Sequence, residues 1–262
     1  MEKLLIIPTY NEKENVASVI ETVFSLQQNF HVLIIDDNSP DGTALIVKSL
    51  FSKYEGKLFL EERKGKLGLG TAYILGFRWA LARGYKYIFE MDCDFSHNPD
   101  DLDKLYKACK SGGANVAVGS RYVKGGQVKN WPSVRVNLSK GASAYTRLIT
   151  FMPVKDPTAG FVCYTREVLE AINLDEISFV GYAFQIEMKF AAWKLGFTIK
   201  EVPITFIDRK FGVSKMNKGI IKEGIFGVLK LKWMSMFKNY RSRVKNISDH
   251  SYQNREVLME GK

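Results

Sequence analysis

The stretch Phe30–Ser49, "FHVLIIDDNSPDGTALIVKS", decides the fold class because it has the pattern of a strand, a loop and a helix in that order. A β-branched apolar run ends at Asp36 and Asp37, and a Pro-Asp-Gly turn follows. After the turn, apolar residues recur at helical spacing. We therefore predict a buried strand whose carboxyl end carries two acids, followed by a helix that returns along the sheet.

The same alternation continues on both sides of this stretch. Further short apolar runs predict strands, namely "KLLIIPTY", "KLFLEER", "YKYIFEMDCD" and "ANVAVGSRY", and helical patterns separate them. Strands joined by single helices indicate an α/β fold with a doubly wound, mostly parallel sheet and helices on both faces. Ligands bind at the carboxyl ends of the strands in such sheets. The polar clusters that follow the strands are therefore predicted to line one crevice: "PTYNE", "DDNSPDG", "DCDFSHN" and "GSRY".

The second half of the chain is less regular. We predict a helix in "VRVNLSKGASAYTRLITF", an amphipathic helix in "YAFQIEMKFAAWKLG" and one strand in "FTIKEVPITFIDR". No composition shift marks a linker. The prediction is one α/β domain over residues 1–216, followed by a basic amphipathic extension and polar tail over residues 217–262.

Composition and charge limit the classes of protein. The 262 residues include three cysteines without pair or metal-ligand spacing, which favours a reducing compartment. The start "MEKLLIIPTY" does not have the pattern of a signal peptide, and no apolar run is long enough to span a bilayer. We therefore expect a soluble or peripheral protein. The net charge of +10 resides in Arg209–Lys245, which holds eleven Lys or Arg and one acid. Nucleic acid, an anionic membrane surface and a phosphate substrate all remain possible partners.

The acidic segment "EMDCDFSHNPDD", Glu90–Asp101, is the strongest candidate for a metal site. Asp92 and Asp94 lie two residues apart after an apolar strand. Mg²⁺ and Mn²⁺ prefer oxygen ligands, and Mg²⁺ typically takes one or two carboxylates together with substrate phosphates. The alternative is a solvated turn in which Asn98 or Asp100 caps the helix after Pro99.

Other polar residues at the predicted strand ends suggest nucleotide and phosphate contacts. Asp36 or Asp37 could accept hydrogen bonds from a nucleobase, or form an Asx turn before "SPDG". "GKLGLGTA" does not complete a dinucleotide-binding fingerprint, so close backbone approach to a phosphate with Lys64 or Lys66 nearby is favoured. Arginines bind phosphate through paired N–H groups, and three lie near element edges: Arg121, Arg135 and Arg209.

Several segments together resemble a known family. In chain order they are "IIPTYNEKENV", "IIDDNSPDGT", "GKLGLGTAYILGF", "MDCDFSHNP", "VGSRYVKGG", "DPTAGFVCY", "YAFQIEMKFAAWKLGF" and "EVPITFIDRKFGVSKM". They resemble the polyprenol (dolichol) phosphate mannosyltransferases, which are family 2 glycosyltransferases with the GT-A fold. The resemblance extends from about Leu4 to about Met216.

The resemblance implies inverting transfer of mannose from GDP-mannose to a polyprenyl phosphate, giving a β-linked product. It implies that Asp92 and Asp94, with Ser96 as a third position, hold Mg²⁺ or Mn²⁺. It also implies a nucleotide-sugar site and an acceptor-phosphate site. The former comprises Pro8, Tyr10, Glu12, Asp36, Asp37, Lys66 and Asp92, and the latter Arg121, Arg135, Arg209, Ser214 and Lys215. Glu187 in "FQIEM" is expected to orient the sugar or a neighbouring cation.

The expected acceptor also predicts which partners the protein binds. Because a polyprenyl phosphate resides in a membrane, the basic C-terminal segment is expected to lie on anionic lipid at the cytoplasmic face. The alternative is a helix packed on the sheet with a solvated basic face, and a small membrane-protein partner is also possible. Other functions remain open: a UDP-glucose-dependent polyprenyl phosphate glucosyltransferase, or a non-catalytic nucleotide-sugar-binding module. No nucleic-acid-binding motif accompanies the basic end, so no nucleic-acid partner is expected.

Overall fold

The structure is a computed structural model that describes residues 1–181, 183–209 and 218–242, with the backbone alone for residues 218–225. The described residues form a central seven-stranded sheet in the order β3-β2-β1-β4-β7-β5-β8, and a two-stranded sheet that pairs β6 with β9. The strands are β1 Lys3–Thr9, β2 His31–Asp36, β3 Leu58–Glu62, β4 Tyr87–Glu90, β5 Val116–Ser120, β6 Gln127–Lys129, β7 Val162–Thr165, β8 Ile199–Pro203 and β9 Thr205–Ile207. The predicted α/β class is confirmed.

Helices cover both faces of the central sheet. They are α1 Val16–Ser25, α2 Thr43–Ser49, α3 Leu69–Ala82, α4 Leu102–Lys110, α5 Ser133–Thr150, α6 Arg166–Ala171, α7 Ala183–Lys194 and α8 Lys218–Met234. In β1, Leu4 and Ile6 pack with α3 and α7, whereas Leu5 and Ile7 pack with α1 and α4. All four side chains are fully buried. Successive strand residues alternate between faces, so an uninterrupted apolar run in the sequence supplies both cores.

The sheet is parallel except at β7, which is antiparallel to both β4 and β5. The carboxyl ends of β1, β2, β4 and β5 therefore share one edge, and β7 begins at this same edge. The loop that leads into β7, residues 151–161, therefore lies at the same edge as the loops that follow the parallel strands. The strand order also reverses around β1, where β2 lies on one side and β4 on the other. Such a switch point is where ligands bind in open α/β sheets.

The predicted single strand "FTIKEVPITFIDR" is wrong in one respect, because the structure divides it into β8 and β9. Ile204 separates them and is buried at 3% exposure in the core beneath α1 and α4. Its N–H donates to the Ser120 carbonyl at 3.1 Å. Because Ile204 turns into the core, the chain bends, and β9 pairs with β6 outside the central sheet.

The helix predicted in "YAFQIEMKFAAWKLG" is confirmed as α7, but its predicted amphipathic character is wrong. Residues 183–192 are all buried, and they include three polar side chains: Gln185, Glu187 and Lys189. A helix buried on all sides belongs to the interior. These polar groups are retained because they have polar partners inside the protein, as described below.

The C-terminal helix α8 packs against α5 and α7. Its inward side chains Val228 and Leu231 are 2% and 1% exposed. Among the described residues, every helix is too short or too polar to span a lipid bilayer. The predicted boundary between residues 216 and 217 lies outside the described residues and stays a prediction.

Candidate active site

The acidic loop after β4 lies at the carboxyl edge of the sheet. The Asp92 side chain is 42% exposed, and its Oδ2 lies 4.0 Å from His97 Nδ1. Asp94 is 5% exposed; its Oδ2 pairs with Arg209 Nη2 at 3.0 Å, and its Oδ1 accepts the Ser96 N–H at 3.0 Å. The predicted acids therefore stand at the crevice, one half exposed and one buried against a guanidinium group.

The helix cap offered as an alternative for this loop is confirmed further along it. Asn98 Oδ1 accepts the Asp100 N–H at 3.2 Å and caps a short 3₁₀ helix, Pro99–Asp101. Asp92 and Asp94 cap neither this helix nor α4. Capping therefore explains the later part of the acidic segment but not the first two acids.

The donor set after β4 suits a divalent cation bound together with a diphosphate. The described residues contain no cluster of three or more His, Cys, Asp or Glu side chains suited to holding a metal. Two carboxylates nevertheless match the ligand set that Mg²⁺ takes when substrate phosphates and water complete its shell. Asp92, Asp94 and Ser96 are the residues that would hold it. The contact between Asp94 and Arg209 indicates that this position accommodates positive charge.

The loop after β1 carries the residues predicted to contact a nucleoside. Tyr10 has the Lys66 ammonium 4.7 Å from its ring centroid, which brings the "GKLG" loop over the β1 end. Pro8 lies within β1. The Glu12 carboxylate accepts from Asn15 Nδ2 at 2.9 Å, and its N–H donates to Thr43 Oγ1 at 3.0 Å. Tyr10 and Lys66 are thus in contact at the carboxyl end of β1, and Pro8 lies two residues before Tyr10 in the chain.

The two acids after β2 have different partners. Asp36 accepts from the Thr9 hydroxyl at 2.8 Å and from the Ser39 N–H at 2.8 Å, so its side chain holds the loop after β2, although the bond reaches the third residue and not the second as in an Asx turn. Asp37 pairs with Arg63 and also accepts the Leu67 N–H at 3.3 Å. Asp37 therefore joins the β2 end to the "GKLG" loop, and the nucleotide role of both acids stays a prediction.

Two of the three glycines of "GKLGLGTA", Gly68 and Gly70, serve internal packing. Gly68 precedes α3 with a φ of +98°, and its carbonyl accepts from Arg63 Nη2 at 3.1 Å. A Cβ on Gly70 would lie 2.6 Å from the Phe179 carbonyl oxygen, and the Gly70 N–H donates to the Val180 carbonyl at 2.9 Å. The backbone of residues 179–180 therefore occupies the space that a side chain at position 70 would need.

Each of the three predicted phosphate-binding arginines forms an ion pair. Arg121 binds Asp156 through two N–H groups at 2.7 and 2.6 Å, and both side chains are buried. The Arg135 guanidinium lies 3.2 Å from both carboxylate oxygens of Asp208. Arg209 pairs with Asp94 as described above. The carboxylates hold the guanidinium groups at the crevice, so a phosphate there must share or replace these partners.

An aromatic cluster supports these arginines. Arg135 lies 3.9 Å from the Trp131 ring centroid, and Arg121 lies 5.5 Å from that of Phe206. Phe206 in turn contacts Trp131 and His97 at 5.2 and 5.3 Å between ring centroids. Cations over aromatic faces are stabilised electrostatically. The cluster therefore fixes both guanidinium groups near the acidic loop.

The predicted residue Glu187 is completely buried at the far side of α7. Its carboxylate accepts the N–H groups of Ser178 and Phe179 at 2.8 and 3.0 Å. It also pairs with the ammonium of Lys238 at 3.0 Å. Glu187 thus joins the loop that packs on Gly70 to the segment after α8, and its role toward the sugar stays a prediction. Ser214 and Lys215 lie outside the described residues.

Sequence reasoning missed a buried polar network beneath the acidic loop. Gln185 Nε2 donates to Glu90 Oε2 at 2.9 Å, and Lys189 Nζ donates to Gln185 Oε1 at 3.0 Å and to the Ala159 carbonyl at 2.7 Å. Burial raises the pKa of the Glu90 carboxyl and lowers the pKa of the Lys189 ammonium. The network ties β4, α7 and the loop before β7 together. In the sequence, three members of this network lie in the segments "DPTAGF" and "FQIEMK", and neither segment has a pattern that predicts their contacts.

His97 was also left out of the chemistry, although it lies beside Asp92. Its ring stacks on Phe161 at 5.0 Å between centroids, and Nδ1 has no hydrogen-bond partner among the described residues. Burial lowers the pKa of His97 to about 4, so the ring is neutral near pH 7. It therefore adds an apolar face to the acidic loop and not a charge.

The family model described as glycosyl transferase family 2 matches residues 4–172. The chain belongs to glycosyl transferase family 2. This confirms the family resemblance inferred from the sequence motifs. The matched residues contain Asp92, Asp94, Arg121 and Arg135, whereas Glu187 and Arg209 lie beyond them.

Two curated relatives within this family cover most of the chain. A polyprenol monophosphomannose synthase of Mycolicibacterium smegmatis is 45% identical over 225 residues, which is 86% of this chain and 84% of the relative. An undecaprenyl-phosphate mannosyltransferase of Micrococcus luteus is 40% identical over 244 residues, 93% of this chain and 99% of the relative.

Solved structures of a more distant glycosyltransferase share the fold. Glucosyl-3-phosphoglycerate synthase of Mycobacterium tuberculosis, in complex with Mn²⁺, UDP-glucose and phosphoglyceric acid, superposes with a TM-score of 0.64 at 15% identity. The match covers 88% of this chain and 80% of that one. The UDP complex of the same protein also gives 0.64, at 15% identity and the same coverage. The GT-A fold expected from the resemblance is thus confirmed for this family 2 chain.

Proposed function

We propose that this chain transfers mannose from GDP-mannose to a polyprenyl phosphate with inversion at the anomeric carbon. The observation that carries the proposal is the 40–45% identity, over 86–93% of the chain, to two relatives named for mannosyl transfer to such lipids. The geometry supports it, because Asp92, Asp94 and Arg121 follow strands at the same edge of the sheet as Tyr10 does, and Arg209 pairs with Asp94. The names of these relatives give neither the donor nucleotide nor the stereochemistry, so both are part of the proposal.

The donor diphosphate is proposed to lie over the acidic loop. Asp92 and Asp94, with Ser96, would hold Mg²⁺ or Mn²⁺ there, and a divalent cation offsets the negative charge that develops on a leaving nucleoside diphosphate. Tyr10 and Lys66 are proposed to lie on the nucleoside side of the crevice, with Glu12, Asp36, Asp37 and Pro8 around them. The half-exposed Asp92 is accessible from the crevice, whereas Asp94 is fixed by Arg209 and the Ser96 N–H.

The acceptor phosphate is proposed to meet the arginines. It is already anionic near neutral pH, so its oxygen attacks C1 of the sugar without a general base. What it requires is alignment, with the reacting atoms about 3–3.5 Å apart. Arg121, Arg135 and Arg209 provide this alignment because carboxylates and aromatic rings fix their guanidinium groups. Ser214 and Lys215 are proposed to belong to the same site.

A panel of labelled sugar nucleotides tests the donor. Purified protein, Mg²⁺ and a short polyprenyl phosphate are incubated in turn with GDP-mannose, UDP-glucose and other labelled donors. We expect labelled lipid from GDP-mannose, and the configuration of the product, read by NMR from the sugar C1–H1 coupling, to be β. Label from UDP-glucose alone would contradict the donor, and GDP-mannose binding without any transfer would favour a non-catalytic binding module.

We further propose that α8 lies on the cytoplasmic face of an anionic membrane. Three of its exposed apolar side chains recur at helical spacing: Phe226 (68% exposed), Leu229 (45%) and Trp233 (63%). At 100° per residue they fall within about 60° of one another, and Phe237 (77% exposed) lies in the turn after the helix. We call these four side chains the α8 apolar stripe. The opposite side chains Val228 and Leu231 are buried, so α8 packs on the protein as the alternative expects, but its exposed face carries large apolar side chains that water alone does not favour.

Replacing part of the α8 apolar stripe tests membrane contact. Trp233→Ser combined with Phe237→Ser is expected to weaken binding to anionic vesicles by about tenfold or more, since two large apolar groups no longer enter the lipid interface. Vesicle sedimentation measures the loss. The matched control is Leu45→Ser with Phe51→Ser, two exposed apolar residues around α2. Equal binding by both double variants would mean that α8 has only a structural role.

A further inference from the structure

A buried lysine beneath the candidate active site has an acceptor for each of its donors. Lys189 lies on α7, and its side chain is completely buried. Its Nζ donates to the Ala159 carbonyl at 2.7 Å, and to both the backbone carbonyl and the side-chain Oε1 of Gln185 at 3.0 Å. An ammonium group has three N–H donors, so all three are used. The Lys189 ammonium is therefore fixed in one place inside the protein.

One arm of this network reaches the strand that leads into the acidic loop. Gln185 Nε2 donates to Glu90 Oε2 at 2.9 Å, and Glu90, the last residue of β4, precedes Asp92 by two positions. Glu90 is completely buried, and its other oxygen, Oε1, has no hydrogen-bond partner among the described residues. The side chain of Glu90 therefore depends on Gln185 for its polar contact and, through Gln185, on Lys189.

The other arm reaches the turn that orients Arg121. The Ala159 N–H donates to the Asp156 carbonyl at 3.3 Å, so residues 156–159 form one turn, which we call the Asp156 turn. The Asp156 carboxylate accepts from Nε and Nη2 of Arg121 at 2.7 and 2.6 Å, and the Thr158 hydroxyl accepts from Nη2 at 2.9 Å. The carbonyl that Lys189 holds thus belongs to the same turn that binds the Arg121 guanidinium.

Lys189 therefore connects the two sides of the crevice. One arm leads to Asp92, which is proposed to lie on the donor side, and the other leads to Arg121, which is proposed to lie on the acceptor side. Transfer requires the two substrates to be aligned, and a misplacement of about 1 Å caused by a distant substitution can lower a rate by about a hundredfold. The distance between the two sides is thus a quantity on which the reaction depends.

We propose that Lys189 is a positioning residue for the transfer reaction, because it fixes the Asp92 side of the crevice relative to the Arg121 side. The inference rests on the proposed function, since it takes the donor diphosphate to lie on the first side and the acceptor phosphate on the second. Lys189 is buried and touches neither substrate; it acts through Gln185, Glu90 and the Asp156 turn. Its loss changes the alignment of the bound substrates and leaves the contacts that bind each substrate in place.

Lys189→Met tests this role, because methionine has a similar length but no donors. We expect kcat for mannosyl transfer to fall about 100-fold, while KM for the nucleotide sugar and KM for the acceptor each change by less than about threefold. Hydrogen–deuterium exchange without any substrate is a second measurement. Exchange is expected to rise about threefold or more in both residues 91–94 and residues 156–161, since both arms lose their common anchor.

Two further variants separate positioning from stability and from charge. Met188→Ala removes a completely buried apolar side chain from the same turn of α7, and is expected to lower the melting temperature but to leave kcat within about twofold. Glu90→Gln with Lys189→Met removes both charges of the buried pair, so it folds even if the single variant does not. The double variant is expected to keep the loss of kcat, because the Ala159 carbonyl is still not held.

These measurements can contradict the inference independently of the proposed function. Full kcat in a folded Lys189→Met protein or in the double variant overturns it, and so does an equal loss of kcat in Met188→Ala. Unchanged exchange in either segment, with transfer intact in the natural chain, contradicts the inference alone. A natural chain that transfers no sugar, combined with raised exchange in Lys189→Met, contradicts the proposed function and confirms that Lys189 anchors both sides.

Discussion

Asp94→Asn is expected to lower the rate of mannosyl transfer by roughly 10³-fold at saturating donor. The substitution removes one of the two carboxylates proposed to hold the divalent cation, and with it charge stabilisation of the leaving diphosphate. It also removes the negative charge that pairs with Arg209 at 3.0 Å. The measurement is kcat for transfer to a short polyprenyl phosphate, at increasing concentrations of Mg²⁺ or Mn²⁺.

The matched control for Asp94→Asn is Asp100→Asn, which makes the same chemical change six residues further along the acidic segment. Asp100 is exposed and lies in the 3₁₀ helix, so its substitution is expected to leave the rate within about twofold. Thermal melting shows whether either variant has lost its fold. A folded Asp94→Asn protein that retains full activity, or activity that survives complete removal of divalent cations by EDTA, would exclude the proposed metal role.

Asp156→Ala is expected to lower the free energy of unfolding by about 3–5 kcal/mol, because it leaves the buried Arg121 guanidinium without its counter-ion. Asp156 is completely buried and binds both the side chain and the backbone N–H of Arg121. Urea denaturation measures the change. Adding Arg121→Leu to Asp156→Ala should recover part of the loss, since no unpaired charge then remains in the interior.

An exposed ion pair provides the comparison for this second prediction. Arg78 and Asp175 also pair across the fold, but their side chains are 53% and 83% exposed. Asp175→Ala is therefore expected to cost at most about 1 kcal/mol. If Asp156→Ala and Asp175→Ala lower the free energy of unfolding equally, the buried Arg121–Asp156 pair stabilises the fold no more than the exposed pair does. Its role is then confined to the orientation of Arg121.

The edge of the sheet that carries the candidate site could be predicted because its signals are local. Each strand is a short apolar run, and the polar residues that end it, such as Asp36 and Asp94, follow immediately in the sequence. Parallel strands bring these ends together without further information. The direction of β7 had no such signal, because a four-residue apolar run has the same pattern in either direction.

The partners of the predicted residues could not be predicted because they come from distant parts of the chain. Asp156 lies 35 residues from Arg121 and Gln185 lies 95 residues from Glu90. Lys189 was missed for a different reason: a lysine in a helix is usually exposed, and only the three-dimensional structure shows that α7 is enclosed on all sides. Buried polar side chains are thus recognised from their contacts and not from helical periodicity.

The ion pair between Lys238 and Glu187 sets a limit on where the chain can be shortened. Their side chains are 7% and 0% exposed, and Tyr240, two residues later, is buried at 3%. A truncation that ends before Lys238 would strand the Glu187 carboxylate in the interior and uncover the ring of Phe190, on which Tyr240 packs. A shortened chain therefore keeps residues up to 242, even when only the sugar-transfer chemistry is under study.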